Sequence, residues 1–271
     1  MITHPYDEQD ALLRMTICGG EARVLLLRTT KASQKASDIH NASDTATAAI
    51  SRMLSGTAMF GVMMKEQSAN VTTIVDGGGP IGRMVCVAHG GNVKISVTNP
   101  HADLPLRKNG QPDVGGIVGK DGTLTVIRDF GVGEPYIGQT KLISGELGED
   151  FAAYYAESEQ TSTIVSLGAI VHQGAVLSAG GILVQALPGC SKETLRLMDE
   201  RVMLFSGISR DLFEDPLQDL AERWFKDLDL SILSREPIAY KCDCSRQKAE
   251  RMLLSVGREE LIHIIEEDHG A

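Results

Sequence analysis

Residues 70–98 read NVTTIVDGGGPIGRMVCVAHGGNVKISVT, and the character of the first two thirds of the chain follows from this stretch. Asn70–Asp76, Arg83–Ala88 and Asn92–Thr98 are short runs rich in Val, Ile and Thr, side chains that fit a pleated, half-buried surface. Gly77-Gly78-Gly79-Pro80 and Gly90-Gly91 separate them and supply turn conformations that bulkier residues resist. The stretch predicts a β-meander.

The same pattern extends in both directions. Toward the amino end, Ala11–Cys18 and Glu21–Thr29 flank Gly19-Gly20, a pair able to take the positive φ angles of a tight hairpin. Toward the carboxyl end, a polar, glycine-rich stretch over residues 106–122 precedes further strands at Thr123–Phe130, Ser162–Val171 and Gly181–Leu187. Two helices interrupt this β-rich part. Between Asn41 and Lys65, Ile50, Met53, Leu54, Thr57, Ala58 and Gly61 recur at helical spacing, and their small companions let a helix lie close to its partner. Glu146–Glu157 carries Glu146, Glu149 and Asp150 where a helix dipole favours negative charge.

From Pro188 the periodicity becomes helical. Ser191 can cap a segment in which Leu195, Met198, Val202 and Phe205 follow three-four spacing. Asp215 as N-cap, Pro216 and Gln218 predict the start of a second helix, whose apolar face is Leu217, Leu220, Ala221, Trp224 and Phe225. After Pro237 come Cys242-Asp243-Cys244, a short helix over Ser245–Val256 closed by Gly257, and an acidic tail over Arg258–His269. The expected divisions are residues 1–189, 190–237 and 238–271.

With 271 residues, 42% hydrophobic and 23% charged, the chain can bury a sizeable core and lacks the polar excess of disorder. A net charge of -10 repels phosphate backbones. Arg23, Arg28, Lys31 and Lys35, spread over a strand and a loop, read as solvated surface, so nucleic acid is not an expected partner. Neither is a membrane: Met1–Asp10 has no apolar stretch, and no run approaches the length of a span. An odd count of five cysteines without a secretory signal points to the reducing cytoplasm.

Gly77, Gly79 and Gly82 spell G-x-G-x-x-G after a strand, which keeps a small-molecule-binding enzyme using the Gly77–Gly82 loop as the alternative function. Its context argues against it, because the residues between Gly82 and Gly90 look like a strand and not the helix a pyrophosphate needs. The seven histidines fall into no partnership with an acid and a nucleophile, and no G-x-S-x-G elbow is present. Cys18, Cys86 and Cys190 stand alone, the first two in apolar runs, and read as structural thiols. Cys242 and Cys244 are placed for joint metal ligation or for a disulfide. A structural zinc needs four ligands, and His263 and His269, six positions apart, point to different faces of a continuous helix.

Taken in order, Asp76–Gly82, Ser96–Pro100, Glu134–Tyr136, Ser144–Glu146, Glu149–Tyr155, Ser158–Gln160, Gln185–Gly189 and the Cys-Asp-Cys pair resemble the redox-regulated 33-kilodalton heat-shock chaperones of bacteria over nearly the whole chain. The resemblance implies an α+β fold: a β-rich, mixed or antiparallel amino-terminal domain packed with helices, a helical linker, and a small carboxy-terminal zinc module. It implies a homodimer built by exchange of elements, and zinc held by a C-x-C pair, here Cys242 and Cys244, with a C-x-x-C pair expected a few residues beyond Ala271. On this reading the sequence carries half of that site, and the chain holds clients without oxidant. The implied activity is that of an ATP-independent holdase, not an enzyme, which binds unfolding proteins under oxidative stress. Disulfide formation at Cys242 and Cys244 and zinc release would uncover the apolar helical faces; no G-x-x-x-x-G-K-[ST] motif is present.

Overall fold

The computed structural model describes residues 9–64, 66, 68–242, 245, 247, 250–251, 253 and 257–267. By internal contacts the chain forms two units, Met1–Tyr240 and Lys241–Ala271. The helical segment that follows residue 190 lies within the first unit.

The hairpin at the amino end forms as expected. Strands β1 (Ala11–Ile17) and β2 (Ala22–Arg28) pair antiparallel, and Gly19 and Gly20 take φ of 65° and 89° between them. Cys18 lies just past β1, with a φ of 53° that is unusual for a side chain of its kind. The meander also forms, as β3 (Asn70–Asp76), β4 (Met84–His89) and β5 (Asn92–Val97), each antiparallel to the next. Downstream lie β6 (Thr123–Asp129), β7 (Tyr136–Lys141), β8 (Thr163–His172) and β9 (Ala175–Ala186).

Three strands lie where none was expected, β7 among them. The last part of the expected helical linker is extended: β10 (Ser231–Pro237) pairs antiparallel with β1, and β11 (Ala239–Tyr240) pairs parallel with β5. Two sheets result, ordered β10-β1-β2-β9-β8 and β11-β5-β4-β3-β6-β7. The fold is α+β, with all pairings antiparallel except β11 with β5.

Helix α2 (Asp44–Met63) lies between the two sheets and touches strands of both. It is buried on every side, not along one stripe. Its small residues are what make this possible: a Cβ on Gly56 would come within 2.5 Å of the Phe151 ring, and one on Gly61 within 2.6 Å of the Ala88 Cβ. Ser43 caps it, its hydroxyl accepting from Ala46 N. Helix α1 (Thr30–His40) occupies the stretch expected to be a loop, so Lys31 and Lys35 are helical. Its buried face is Ala32, Ser33, Ala36 and Ser37, too small and polar to register as an apolar stripe.

A one-turn helix, α3 (Val114–Val118), and helix α4 (Gly148–Glu157) complete the central layer. Phe151, Tyr154 and Tyr155 of α4 surround Phe60 of α2, with ring centroids 5.8, 5.5 and 4.9 Å away. The buried Asp150 carboxylate accepts from the amides of Ile143, Ser144 and Leu147 at 2.7, 3.1 and 2.8 Å. Those bonds hold Leu147 at a φ of 67°.

The remaining helices cover the other face of the first sheet: α5 (Lys192–Arg201), α6 (Ile208–Glu214) and α7 (Leu217–Phe225), with a 3₁₀ turn over Val202–Gly207. Ser191 caps α5 as expected, accepting from Thr194 N. The N-cap of α7 is Pro216, one residue after the expected Asp215, and the Asp215 carboxylate accepts from Arg223 Nη1 at 2.5 Å. In the second unit, the expected acidic tail is helical over α8 (Arg258–Glu267). Most of the helix expected over Ser245–Val256 falls outside the described residues.

Candidate functional site

Three features of the sequence called for a place in the structure: the glycine loop, the thiol pair and the apolar helical faces. The Gly77–Gly82 loop runs from β3 directly into β4, with no helix for an anion to face. Its backbone is engaged instead. Gly79 N and Ile81 N each donate 3.0 Å bonds, to Val118 O and Ile117 O, and Gly77 O accepts from Asp121 N at 3.1 Å. A Cβ on Gly77 or Gly79 would stand 2.4 Å from a carbonyl oxygen of the α3 segment, so these glycines permit backbone to meet backbone. That geometry argues against a dinucleotide-type loop here.

Beside this loop, Glu146 accepts from Arg52 Nη1 at 2.5 Å, from Gly115 N at 3.0 Å and from Arg107. Burial alone would raise the Glu146 carboxyl, but the Arg52 and Arg107 guanidinium groups outweigh it and hold it below the usual carboxylate range. Both groups stabilise the loop and offer no nucleophile.

Among the thiols, Cys86 is fully buried in β4, and desolvation pushes it up to about 12, which makes it inert at neutral pH. Cys190 is raised by burial, then by Glu21 and Cys18. Cys242 is exposed. Cys244, Asp243 and His269 lie outside the described residues, and His263 lies exposed on α8. No group of three His, Cys, Asp or Glu side chains suited to a metal gathers among the described residues. A structural zinc needs four donors, and Cys242 with Cys244 supplies two. Those two thiols are the donors this stretch would bring to such a site.

The apolar faces are the most developed feature. Phe205, Trp224 and Phe225 form one aromatic cluster, with centroid separations of 5.3, 5.8 and 6.5 Å. They join Met198, Leu212, Leu217 and Leu220 against Leu13, Met15, Val24 and Leu26 of the first sheet. Alternation along β1 and β2 explains why that sheet needs two covers: Leu12, Leu25 and Leu27 face the central layer, and the residues between them face the helices. At the surface of this helical layer, Val202, Met203 and Leu204 are 41%, 76% and 42% exposed, a short apolar ridge continuous with the cluster. The ridge lies on the 3₁₀ turn, whose departure from helical phase could not be read from three-four spacing; Val202 was expected to be buried.

Among the described residues no helix is long and apolar enough to cross a membrane. The family described as Hsp33 protein matches residues 10–271. The chain is 38% identical over 262 residues to the 33 kDa chaperonin of Thermoanaerobacter sp. (strain X514), covering 96% of this chain and 89% of that protein. It is 37% identical over 266 residues to the 33 kDa chaperonin of Acetivibrio thermocellus, covering 97% and 90%. The crystal structure of the 33 kDa chaperonin (heat shock protein 33 homolog) of Thermotoga maritima superposes with a TM-score of 0.85 at 32% identity, over 96% of this chain and 89% of that one.

Proposed function

The chain belongs to the Hsp33 family of chaperones, and from that premise we propose that it is a redox-regulated, ATP-independent holdase of the cytoplasm that binds unfolding proteins through the apolar layer of α5–α7. The observation that carries the proposal is the aromatic cluster of Phe205, Trp224 and Phe225, seated on a sheet face that is itself apolar. Lifting that layer exposes both surfaces at once. Each buried Phe- or Leu-sized side chain so exposed offers about 1.5–3 kcal/mol of burial to a client, which is enough for a few of them to hold an unfolding chain.

The redox step assigned to this chain is closure of a disulfide between Cys242 and Cys244. The two thiols lose two protons and two electrons to hydrogen peroxide, which leaves as two waters, by way of a sulfenate on one sulfur that the other thiol resolves. Exposure of Cys242 supports access by oxidant. Cys242 and Cys244 would supply two thiolates to a zinc ion, and closing the disulfide withdraws both.

A homodimer belongs to the same reading. Support comes from Ile232 and Leu233, 42% and 59% exposed on β10 at the edge of the first sheet, where a second copy can add or exchange an element. Sedimentation at increasing concentration reads this directly.

The deciding experiment measures light scattering of a thermally unfolding client enzyme with and without peroxide, using the chain and its Cys242→Ser variant. Some suppression of aggregation is expected in both proteins without peroxide, with a further rise on adding peroxide in the chain and not in the variant. Equal scattering with and without the protein would end the holdase proposal, and an undiminished peroxide response in Cys242→Ser would end the disulfide step.

A further inference from the structure

On the face of the first sheet away from α5–α7, a cleft of about 340 Å³ opens between β2, the end of α2, β6 and α4. One wall is apolar, made by Phe60, Met63 and Met64; the other carries Arg23, Arg128, Glu159 and the Tyr155 ring. Arg128 and Glu159 neutralise one another in a two-toothed pair, with Arg128 Nη2 2.8 Å from Glu159 Oε1 and Nη1 donating at 3.1 Å to Oε2. Arg23 has no such partner. Its Nε donates to Gln185 Oε1 at 2.7 Å, and among the described residues its terminal Nη groups meet no acceptor, although burial already disfavours its charge.

The second observation is the Tyr155 hydroxyl. Tyr155 is 3% exposed, and its buried hydroxyl has no hydrogen-bond partner among the described residues. The charged groups that act on it are Arg128, Arg23 and Glu159, those of the cleft. An orphaned buried hydroxyl costs about 1–3 kcal/mol, a cost that an oxygen supplied from outside would remove.

We infer that this cleft binds a small carboxylate with an apolar body, the carboxylate on the Arg23 guanidinium and the Tyr155 hydroxyl and the body on Phe60, Met63 and Met64. The paired Arg128 and Glu159 leave Arg23 as the one uncompensated charge of the wall, which matches a monoanion. A phosphate dianion would sit against Glu159 with half its charge unmet. The planar fork of a guanidinium suits a carboxylate, and the volume lies at the small end of ligand sites. The same chemistry is offered by a free aliphatic acid and by the carboxyl terminus of a peptide. Because the cleft and the α5–α7 layer lie on opposite faces of the sheet, the inference does not depend on the holdase reading.

Isothermal titration of the full chain with 4-methylpentanoate, with N-acetyl-Gly-Gly-Leu and with its carboxamide tests the site. Saturable binding of one or both carboxylates is expected, with the carboxamide weaker by at least about tenfold. Arg23→Gln should weaken binding by a similar factor. Tyr155→Phe, which removes the orphaned hydroxyl and should fold at least as stably, should weaken it by about threefold to tenfold. Binding of the free acid alone identifies a metabolite-sized ligand, and binding of the peptide alone identifies a chain terminus. No saturation by either carboxylate at 10 mM, on the order of the weakest specific affinities, would overturn the inference, as would equal binding of the carboxamide or indifference to both substitutions.

Discussion

At Asp10 the backbone amides of Lys31 and Ala32, the first turn of α1, donate to the carboxylate at 3.1 and 2.7 Å. Burial nonetheless outweighs those bonds and the nearby Arg28 and Lys31 charges, and the carboxyl is raised from 3.8 to about 6. A folded-state value above the unfolded one means that the contribution of this group to stability is complete below pH 4 and is lost as the pH rises through 6. Urea denaturation of the chain and of Asp10→Asn at pH 4 and pH 7 should show the chain gaining on the variant at the acid end, by up to about 3 kcal/mol. Carboxylates held low, such as Glu146 and Asp113, change in the opposite sense but equally in both proteins. A gap that does not change with pH would refute the assignment. Asp150 accepts three amides, and Asp150→Ala should cost about 3 kcal/mol or more in a thermal melt, since each buried donor left without its acceptor costs about 1–3 kcal/mol.

Among the elements, α7 showed its apolar face in the sequence, and all five residues of that face are buried. Phe225→Ala should destabilise the helical layer by about 3–5 kcal/mol. Aggregation suppression without oxidant should then rise above that of the unaltered chain, and a variant that melts early yet leaves client scattering unchanged would separate this layer from client binding. The glycine loop makes a sharper comparison. Gly79→Ala drives a Cβ to 2.4 Å from Ile117 O, whereas Gly78→Ala meets nothing within 4 Å and carries only the strain of a φ of 74°. The first should lower the melting temperature well beyond the second, whose cost is about 1–2 kcal/mol. Helix α1 was hidden for a physical reason: its buried positions are Ala and Ser, and the carboxylate that caps it comes from Asp10, twenty residues earlier.

For the molecule as a whole, the first sheet has two buried faces, one under α1, α2 and α4 and the other under α5–α7. This explains why β1 and β2 read as nearly continuous apolar runs and why the helices after residue 190 belong to the same compact unit as the strands. Local order was legible in the sequence alone: the meander and its glycine turns, the hairpin at Gly19-Gly20, the long small-residue helix, the Ser191 cap, the face of α7 and the motifs shared with the Hsp33 family. Each of these depends on side-chain size, periodicity or backbone freedom within about ten residues. What only tertiary structure decided depends on partners far apart in the chain. Strand β10 exists because β1 offers its edge across more than two hundred positions, Asp215 pairs with Arg223 because the fold of α7 brings it within reach, and Arg23 and Tyr155 share a cleft because β2 and α4 meet. Propensity cannot register such meetings, because their free energy comes from contacts that form only when both sheets have closed on α2.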